Sequence, residues 1–180
     1  MKTTAKSWAW VRSPLTVIIT IVIVTLDQIT KVLVINSGLD FRGREVVPGF
    51  FDLVYTHNTG AAWGIMEGKI RWLGVLSLAV FVAMIYWFHK LTFPYRERSI
   101  AISVVMGGIV GNMYDRFFRI GVVDFLSFHL GSYTWPAFNV ADSAICVGVF
   151  VYVFSSFLRP EPKTGSQETL MPGVTQHKEK

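Results

Sequence analysis

Residues Gly121–Phe150 read GVVDFLSFHLGSYTWPAFNVADSAICVGVF, and the rest of the chain is best interpreted from this stretch. It places two carboxylates, Asp124 and Asp142, on either side of a turn-rich segment. Asp142 comes close to the start of a long apolar run. An ionisable residue at the mouth of an apolar helix is costly in a membrane unless it caps the helix, pairs with a neighbour or takes part in chemistry.

The composition of the 180-residue chain is that of a membrane protein. Hydrophobic residues make up 52% and charged residues 16%, with a mean hydropathy of +0.44, whereas a soluble domain carries roughly 25% charged residues. The net charge of +5 does not indicate nucleic-acid binding, because the basic residues form no stripe among aromatic residues. The single cysteine, Cys146, allows neither an internal disulfide nor a zinc knuckle.

Four apolar runs are long enough to span a bilayer, which takes about 20 residues each. They are residues 14–35, 70–88, 99–117 and 138–158. We interpret the first as an uncleaved anchor rather than a secretory signal peptide, because no small-residue cleavage site follows it. The sequence therefore predicts an α-helical membrane protein with four transmembrane helices in a single domain, residues 1–158. Residues 159–180 are polar and without periodicity, which predicts a disordered tail.

The placement of lysine and arginine predicts the orientation of the chain. Ten of these residues lie in short segments on the side that holds both termini, and fewer lie on the other side. The positive-inside rule then places both termini in the cytoplasm and residues 36–69 and 118–137 outside it. Each outer segment contains a β-prone run, Phe51–Thr56 and Val122–Phe128. We therefore expect a small β-containing subdomain at the extracytoplasmic membrane surface.

The polar residues of the predicted spans converge on this same side. Asp27 and Lys31 have the i, i+4 spacing that lets them pair on one helix face, and a paired charge is what a membrane tolerates. The other polar residues at the span ends and in the outer segments are Asn58, Asn112, Asp115, Arg116, Asp124, Asn139 and Asp142. Their convergence on one leaflet indicates a polar site there.

Several of these residues also have a purely structural interpretation. Asn139 and Asp142 have the spacing of a capping box, which is compatible with catalysis as well. Asp115 and Arg116 form, on this interpretation, an ion pair at a helix end. Three small residues in the third run either allow close helix packing or let a substrate backbone approach. These are Gly107, Gly108 and Gly111.

Elimination narrows the chemistry that such a cluster supports. A serine nucleophile needs a base; the sequence has no G-x-S-x-G elbow, although Lys31 with Ser127, Ser132 or Ser143 stays open. Zinc needs histidines and cysteines at helical spacing, which His57, His89 and His129 do not provide. Two carboxylates that share one proton remain. One would take a proton from water and the other would donate to the carbonyl oxygen, giving direct amide hydrolysis without a covalent intermediate.

Five motifs occur in the order found in bacterial lipoprotein signal peptidases (signal peptidase II), and the chain resembles this family over residues 14–158. They are DQITK at 27–31, NTGAAW at 58–63, GGIVGNMYDR at 107–116, VVDF at 122–125 and FNVAD at 138–142. The resemblance implies an aspartyl endopeptidase of the bacterial inner membrane with its active site near the extracytoplasmic leaflet. The implied substrate is a prolipoprotein with a diacylglyceryl-modified cysteine, cut just before that cysteine.

Carried over by motif, the resemblance implies that Asp124 and Asp142 are the catalytic dyad. The implied substrate-binding or supporting residues are Asn58, Gly108, Asn112, Asp115, Arg116, Asn139, Asp27 and Lys31. We expect a monomer surrounded by membrane lipid, with no metal, cofactor or nucleic acid as partner. We also expect residues 36–69 to cover part of the site, with Trp63 at the membrane interface.

Two other classes of function remain as alternatives to a peptidase. A small transporter or channel subunit would carry polar residues at the midplane or on both sides, whereas the inner halves of the four predicted spans are nearly free of charge. A scaffold protein would use the acidic residues only as caps and ion pairs. A peptide-cleavage assay separates both from the peptidase.

Overall fold

The structure, a computed structural model, describes residues 14–60 and 66–159. This part of the chain contains four helices and four strands. In chain order they are α1 (Pro14–Ile35), β1 (Arg44–Val47), β2 (Phe51–Asn58), α2 (Ile70–Thr92), α3 (Arg96–Phe118), β3 (Val122–Leu130), β4 (Tyr133–Thr134) and α4 (Val140–Leu158). The predicted helical protein with a small sheet is therefore confirmed.

Three of the helices, α1, α2 and α4, are long and apolar enough to cross a membrane. Their outward faces carry large exposed apolar side chains, among them Leu33, Trp72 and Phe150. Exposed apolar faces of this length suit a lipid environment rather than water. Three of the four predicted runs are thus helices with the length and composition of membrane spans.

Helix α3 has the length of a span but is less apolar, and its position in the fold explains why. It packs against each of the other three helices. A Cβ atom on Gly107 would lie 2.6 Å from Cβ of Ile23 in α1, and one on Gly108 would overlap the backbone oxygen of Ala141 in α4. Because its neighbours approach so closely, α3 forms the centre of the helix bundle. It can therefore carry polar residues that would be costly on a lipid-facing helix.

The predicted helix ends differ from the observed ones by a few residues, except in α1, where they coincide. Helix α3 begins three residues earlier than predicted, because the charged residues Arg96, Glu97 and Arg98, which the apolar pattern leaves out, also belong to the helix. Helix α4 begins at Val140, two residues later than predicted, because Asn139 is its N-cap. In both cases the apolar pattern does not show whether the polar residues at the boundary are helical.

The four strands form one antiparallel sheet in the order β1-β2-β3-β4. Strands β2 and β3 extend the two predicted β-prone runs and pair with Asn58 opposite Val122 and Thr56 opposite Asp124. Strands β1 and β4 are short and were not predicted. The register brings the end of β2 beside the start of β3, so Asn58 and Asp124 lie on neighbouring strands.

A backbone contact joins β3 to the start of α4. The carbonyl oxygen of Phe138 accepts hydrogen bonds from the N–H groups of Phe125 and Leu126, at 3.0 and 2.9 Å, and Phe138 donates back to the Leu126 oxygen at 3.0 Å. This contact holds the N-terminus of α4 against the strand. Residues on β3 and in the first turn of α4 are thereby brought together across the turn-rich segment.

Candidate active site

A cavity of about 790 Å³ opens where β3 meets the ends of α3 and α4. Its lining combines polar side chains with apolar ones, several of which are aromatic. The polar wall consists of Asn58, Asn112, Arg116, Asp124, Asp142 and Ser143. The aromatic wall consists of Phe50, Phe128, Trp135 and Phe138. A concave apolar site with a few convergent polar groups is the usual form of a ligand or active site.

Asp124 lies on β3 with only 3% of its surface exposed. Its Oδ1 accepts a hydrogen bond of 2.7 Å from Nδ2 of Asn139. Burial, followed by the nearby charge of Asp142, raises the pKa of Asp124 from 3.8 to about 7, although Asn58 and Asn139 oppose this rise as hydrogen-bonding neighbours. The strand register therefore places at the cavity a carboxyl group that holds its proton near neutral pH.

Asp142 is the third residue of α4 and is half-buried. Its Oδ2 accepts from the backbone N–H of Asn139 at 3.2 Å, while the Asn139 side-chain oxygen accepts from the backbone N–H of Asp142 at 2.9 Å. This reciprocal pair is the predicted capping box, which is confirmed. The other oxygen, Oδ1, accepts a hydrogen bond of 2.7 Å from Nδ2 of Asn112.

Two buried asparagines connect the two carboxylates. Asn139 is fully buried; it contacts Asp124 with its side chain and Asp142 with its backbone and side chain. Asn112 contacts Asp142 and also accepts from Asn139 at 3.2 Å. Asp124, Asp142, Asn112 and Asn139 therefore form one hydrogen-bonded group, assembled from three separate elements.

An ion cluster lies directly behind this group. The ammonium of Lys31 contacts Asp27 Oδ2 at 2.8 Å and Asp115 Oδ2 at 2.9 Å, and all three side chains are fully buried. The Asp27–Lys31 pair is thus confirmed. Asp27 also accepts at 2.9 Å from the backbone N–H of Ala141, an otherwise unsatisfied donor in the first turn of α4. The cluster ties α1 to both α3 and α4.

The predicted ion pair between Asp115 and Arg116 is wrong. Asp115 pairs instead with Lys31 and with Arg119, one turn later in the chain, and also accepts from the backbone N–H of Val123 at 3.1 Å. Adjacent residues of a helix point in different directions, so Asp115 faces α1 and β3 while Arg116 faces the cavity. The i, i+4 spacing of Asp115 and Arg119 could have revealed that partner.

Arg116 has few partners on the protein side. Its Nη1 lies 3.4 Å from Ser77 Oγ, and its buried Nε–H has no hydrogen-bond partner among the described residues. The side chain lines the cavity together with Asp124 and Asp142, and its charge interacts with both. A guanidinium with free donors at the wall of a cavity is suited to an oxygen of a bound molecule.

The remaining predicted residues have structural contacts. Gly108 lies against α4 and not on the cavity wall, so the packing interpretation holds for it. His129 bridges Asp52, at 2.8 Å, and Thr134, at 3.0 Å, on the sheet. Among residues 14–60 and 66–159, no group of three or more His, Cys, Asp or Glu side chains is placed to hold a metal ion. Trp63 and the predicted tail beyond Arg159 lie outside the described residues.

Sequence reasoning missed a buried cation at the opposite end of the bundle. Arg98 is 2% exposed; it donates to the side chain and backbone of Ser155 and to the backbone of Arg159, and it lies over the ring of Tyr95. These contacts satisfy carbonyls at the end of α4. The charge is thus a helix cap and leaves the polar cavity at the other end as the main functional candidate.

Comparison with known proteins assigns the family. The sequence model described as signal peptidase (SPase) II matches residues 19–158. The chain is 38% identical over 152 residues to the lipoprotein signal peptidase of Bacillus pumilus, covering 84% of this chain and 97% of that protein. It is 44% identical over 140 residues to the lipoprotein signal peptidase of Syntrophotalea carbinolica, covering 73% and 84% respectively.

A solved structure agrees with this assignment. It is that of a bacterial membrane enzyme, with a TM-score of 0.74 and 28% identity over 84% of this chain and 94% of that one. The resemblance noted in the sequence is therefore confirmed, and with the apolar helices it identifies an integral membrane protein. The chain belongs to the signal peptidase II family, the proteases that remove signal peptides from lipoproteins.

Proposed function

We propose that this chain removes the signal peptide from prolipoproteins whose cysteine carries diacylglycerol, and that Asp124 and Asp142 activate the attacking water. The observation that supports this most is the pair itself. Two carboxylates on the wall of one cavity share hydrogen-bonded neighbours, and the pKa of Asp124 is raised to about 7. Two carboxyl groups so coupled hold one proton between them near neutral pH.

One proton on the pair gives both halves of an acid–base hydrolysis. The ionised carboxylate removes a proton from water while the protonated carboxyl donates to the carbonyl oxygen. The oxygen of water bonds to the carbonyl carbon and forms a tetrahedral diol. As the C–N bond breaks, the protonated carboxyl gives its proton to the leaving nitrogen while the other carboxylate takes a proton from a hydroxyl of the diol. The new C=O forms, the signal peptide departs with a free carboxyl end, and the pair again holds one proton. No covalent enzyme intermediate forms in this scheme.

The other residues in the cavity and behind it have supporting roles in this proposal. Arg116, with its unpartnered Nε–H, and Asn58, at the end of β2, would bind carbonyl oxygens of the substrate. Asn112 and Asn139 hold the two carboxylates. Asp27, Lys31 and Asp115 hold α1 and α3 together behind the two carboxylates. Gly108 allows α3 and α4 to approach each other closely. These assignments divide the group into residues that contact substrate and residues that hold the dyad.

The aromatic wall of the cavity suits a lipid-modified substrate. Phe128 and Phe138 stack with a centroid separation of 5.8 Å and face the same space as the polar group. Apolar surface beside a scissile peptide bond stabilises acyl chains through the hydrophobic effect. In this proposal the enzyme is a monomer of the bacterial inner membrane with both termini in the cytoplasm. The cavity then lies near the extracytoplasmic leaflet.

Cleavage of matched peptides tests the function. Purified protein in detergent is given one lipobox peptide with diacylglyceryl-cysteine and the same peptide with unmodified cysteine, and the products are identified by mass spectrometry. We expect cleavage just before the modified cysteine and a rate at least about 100-fold lower on the unmodified peptide. Cleavage elsewhere, equal cleavage of both peptides, or no cleavage by folded protein would each contradict the proposal.

A further inference from the structure

The ammonium of Lys31 donates to an uncharged group as well as to its two carboxylates. It lies 2.8 Å from Asp27, 2.9 Å from Asp115 and 3.0 Å from Oδ1 of Asn112. An ammonium has three N–H donors and no acceptor. All three donors are therefore used, and one of them fixes the side-chain amide of Asn112.

This contact, together with the Asn139 N–H that reaches the same oxygen at 3.2 Å, determines which end of the Asn112 amide faces Asp142. With the amide oxygen on Lys31, the amide nitrogen points to Asp142 Oδ1 at 2.7 Å. The flipped amide would place its NH2 against an ammonium and its oxygen against a carboxylate. Both contacts would be repulsive in a buried site where electrostatic interactions are strong. Lys31 thus keeps an N–H donor on Asp142.

The two carboxylates receive unequal support. Asp142 accepts the N–H of Asn112 and the backbone N–H of Asn139, lies at the positive end of α4, and is half-buried. Asp124 is almost fully buried. Asn58 and Asn139 are its hydrogen-bonding neighbours, but the two N–H bonds of the Asn139 amide are divided among Asp124, Asn112 Oδ1, at 3.2 Å, and Val123 O, at 3.3 Å. The single negative charge of the pair is therefore more stable on Asp142.

We propose that Lys31 is a positioning residue for the reaction: by orienting the Asn112 amide, it places the negative charge on Asp142 and the shared proton on Asp124. Asp142 then removes the proton from water, and Asp124 donates its proton to the carbonyl oxygen of the scissile bond. This assignment rests on the proposed peptidase function and adds to it which carboxylate plays which part.

The charge of Lys31 itself lowers the pKa of Asp124, but by less than burial, Asp142, Asn58 or Asn139 changes it, so the main effect of Lys31 on the dyad passes through the amide. Lys31 and Arg119 are balanced by Asp27 and Asp115 in the same cluster. The charged groups that face Asp142 are Asp124 from β3 and Arg116 from α3, while Lys31 of α1 lies behind Asn112. Loss of Lys31 together with one carboxylate would leave the net charge of the cluster unchanged. It would remove the ammonium that holds the Asn112 amide in place.

The main test is the double variant Asp27→Asn/Lys31→Met, assayed by kcat and kcat/KM against pH on the diacylglyceryl peptide. Neutral replacement of both partners avoids an unpaired buried charge, and the amide oxygen introduced at position 27 can still accept from the backbone N–H of Ala141. We expect kcat to fall by about 30-fold, KM to change by less than about 3-fold, and the acid limb of kcat/KM to move about one pH unit upward. A folded variant whose acid limb stays in place would overturn the proposal.

Two further variants separate positioning from stability. Asn112→Leu keeps Lys31 but removes the N–H that Asp142 accepts. The acid limb of its kcat/KM profile should therefore also move to higher pH. If that limb does not move, the proposal is contradicted even when the double variant does not fold. Arg98→Met removes a buried cation at the opposite end of the bundle. This variant should lower the unfolding temperature without moving the acid limb of kcat/KM. If the acid limb moves as far as it does in the double variant, the effect of Lys31 is a general loss of stability and the proposal is overturned.

Failure of this inference and failure of the proposed function give different results. If the wild-type protein cleaves the modified peptide and the acid limb is insensitive to the double variant and to Asn112→Leu, only the role of Lys31 is overturned. If folded wild-type protein does not cleave the peptide, the peptidase proposal fails, and the role of Lys31 fails with it.

Discussion

Replacing Asp124 with asparagine should stabilise the folded protein at high pH. The pKa of Asp124 is about 7 in the folded protein, because of burial first and the charge of Asp142 second, against 3.8 for an ordinary aspartate. The folded state therefore binds this proton more tightly than the unfolded chain. Stability must fall as pH rises from about 4 to about 7 and remain lower above that range.

The size of this effect follows from the same values. Each tenfold change in an ionisation constant corresponds to about 1.4 kcal/mol, so a rise from 3.8 to about 7 corresponds to at most roughly 4 kcal/mol. Asparagine is isosteric and cannot ionise, so Asp124→Asn avoids this cost. Relative to wild type, the variant should gain stability between about pH 4 and pH 7 and keep the gain at about pH 8.

Thermal unfolding in detergent across this pH range measures the effect. Ser127→Ala is the matched control, because Ser127 is buried on the same strand and does not titrate near these pH values. The difference in unfolding temperature between Asp124→Asn and wild type should increase with pH, whereas that of the control should stay constant. A difference for Asp124→Asn that is flat or decreases with pH would refute a raised pKa at Asp124.

Three further predictions concern neighbouring residues. Asn139→Ser should keep a side-chain oxygen at the helix cap but lose the amide N–H donated to Asp124, so cleavage should fall by about 100-fold. The Asn139→Ala variant should in addition lose about 1 kcal/mol of stability, and equal stability of the two variants would contradict the capping role. Gly108→Leu should separate α3 from α4 and lower the free energy of unfolding by about 1–3 kcal/mol, because a Cβ atom at this position overlaps the Ala141 backbone. An unchanged temperature of thermal unfolding would contradict the close approach of the two helices. Alkylation of Cys146, an exposed residue on the cavity wall, should slow cleavage by about 10-fold. The Cys146→Ala variant, which cannot be alkylated, is the control. Full activity of the alkylated protein would show that the substrate does not contact this residue.

The helices were predictable because their signal is local. A run of about 20 apolar residues is visible in the sequence whatever surrounds it, and the bounds of α1 were predicted without error. The capping box of Asn139 and Asp142 and the pairing of Asp27 with Lys31 also depend on spacing within one helix. Such interactions are fixed by helix geometry before any tertiary contact forms.

The network behind the dyad was not predictable, because its contacts join residues far apart in the chain. Lys31 meets Asn112 and Asp115 only once α1 packs on α3. The sequence pattern offered Arg116 as the nearest cation to Asp115, but helix geometry turns Arg116 toward the cavity. The orientation of the two asparagine amides likewise depends on partners from three elements, which no spacing rule supplies.

Strands β1 and β4 were missed for a different reason. They have four and two residues, and every residue in both is exposed. Without one buried face, a strand lacks the alternation of apolar and polar residues by which it is detected. The central role of α3 was missed too, since an apolar run shows length but not which helix is enclosed by the others.

The most direct test of the central claim is the cleavage rate of the diacylglyceryl peptide by Asp124→Asn and Asp142→Asn, with folding of each variant checked by thermal unfolding. If the two carboxylates together activate water, each variant should stay folded and lose at least about 1,000-fold in kcat. A folded variant of either residue that cleaves at a near-wild-type rate would show that the residue is not part of the catalytic pair.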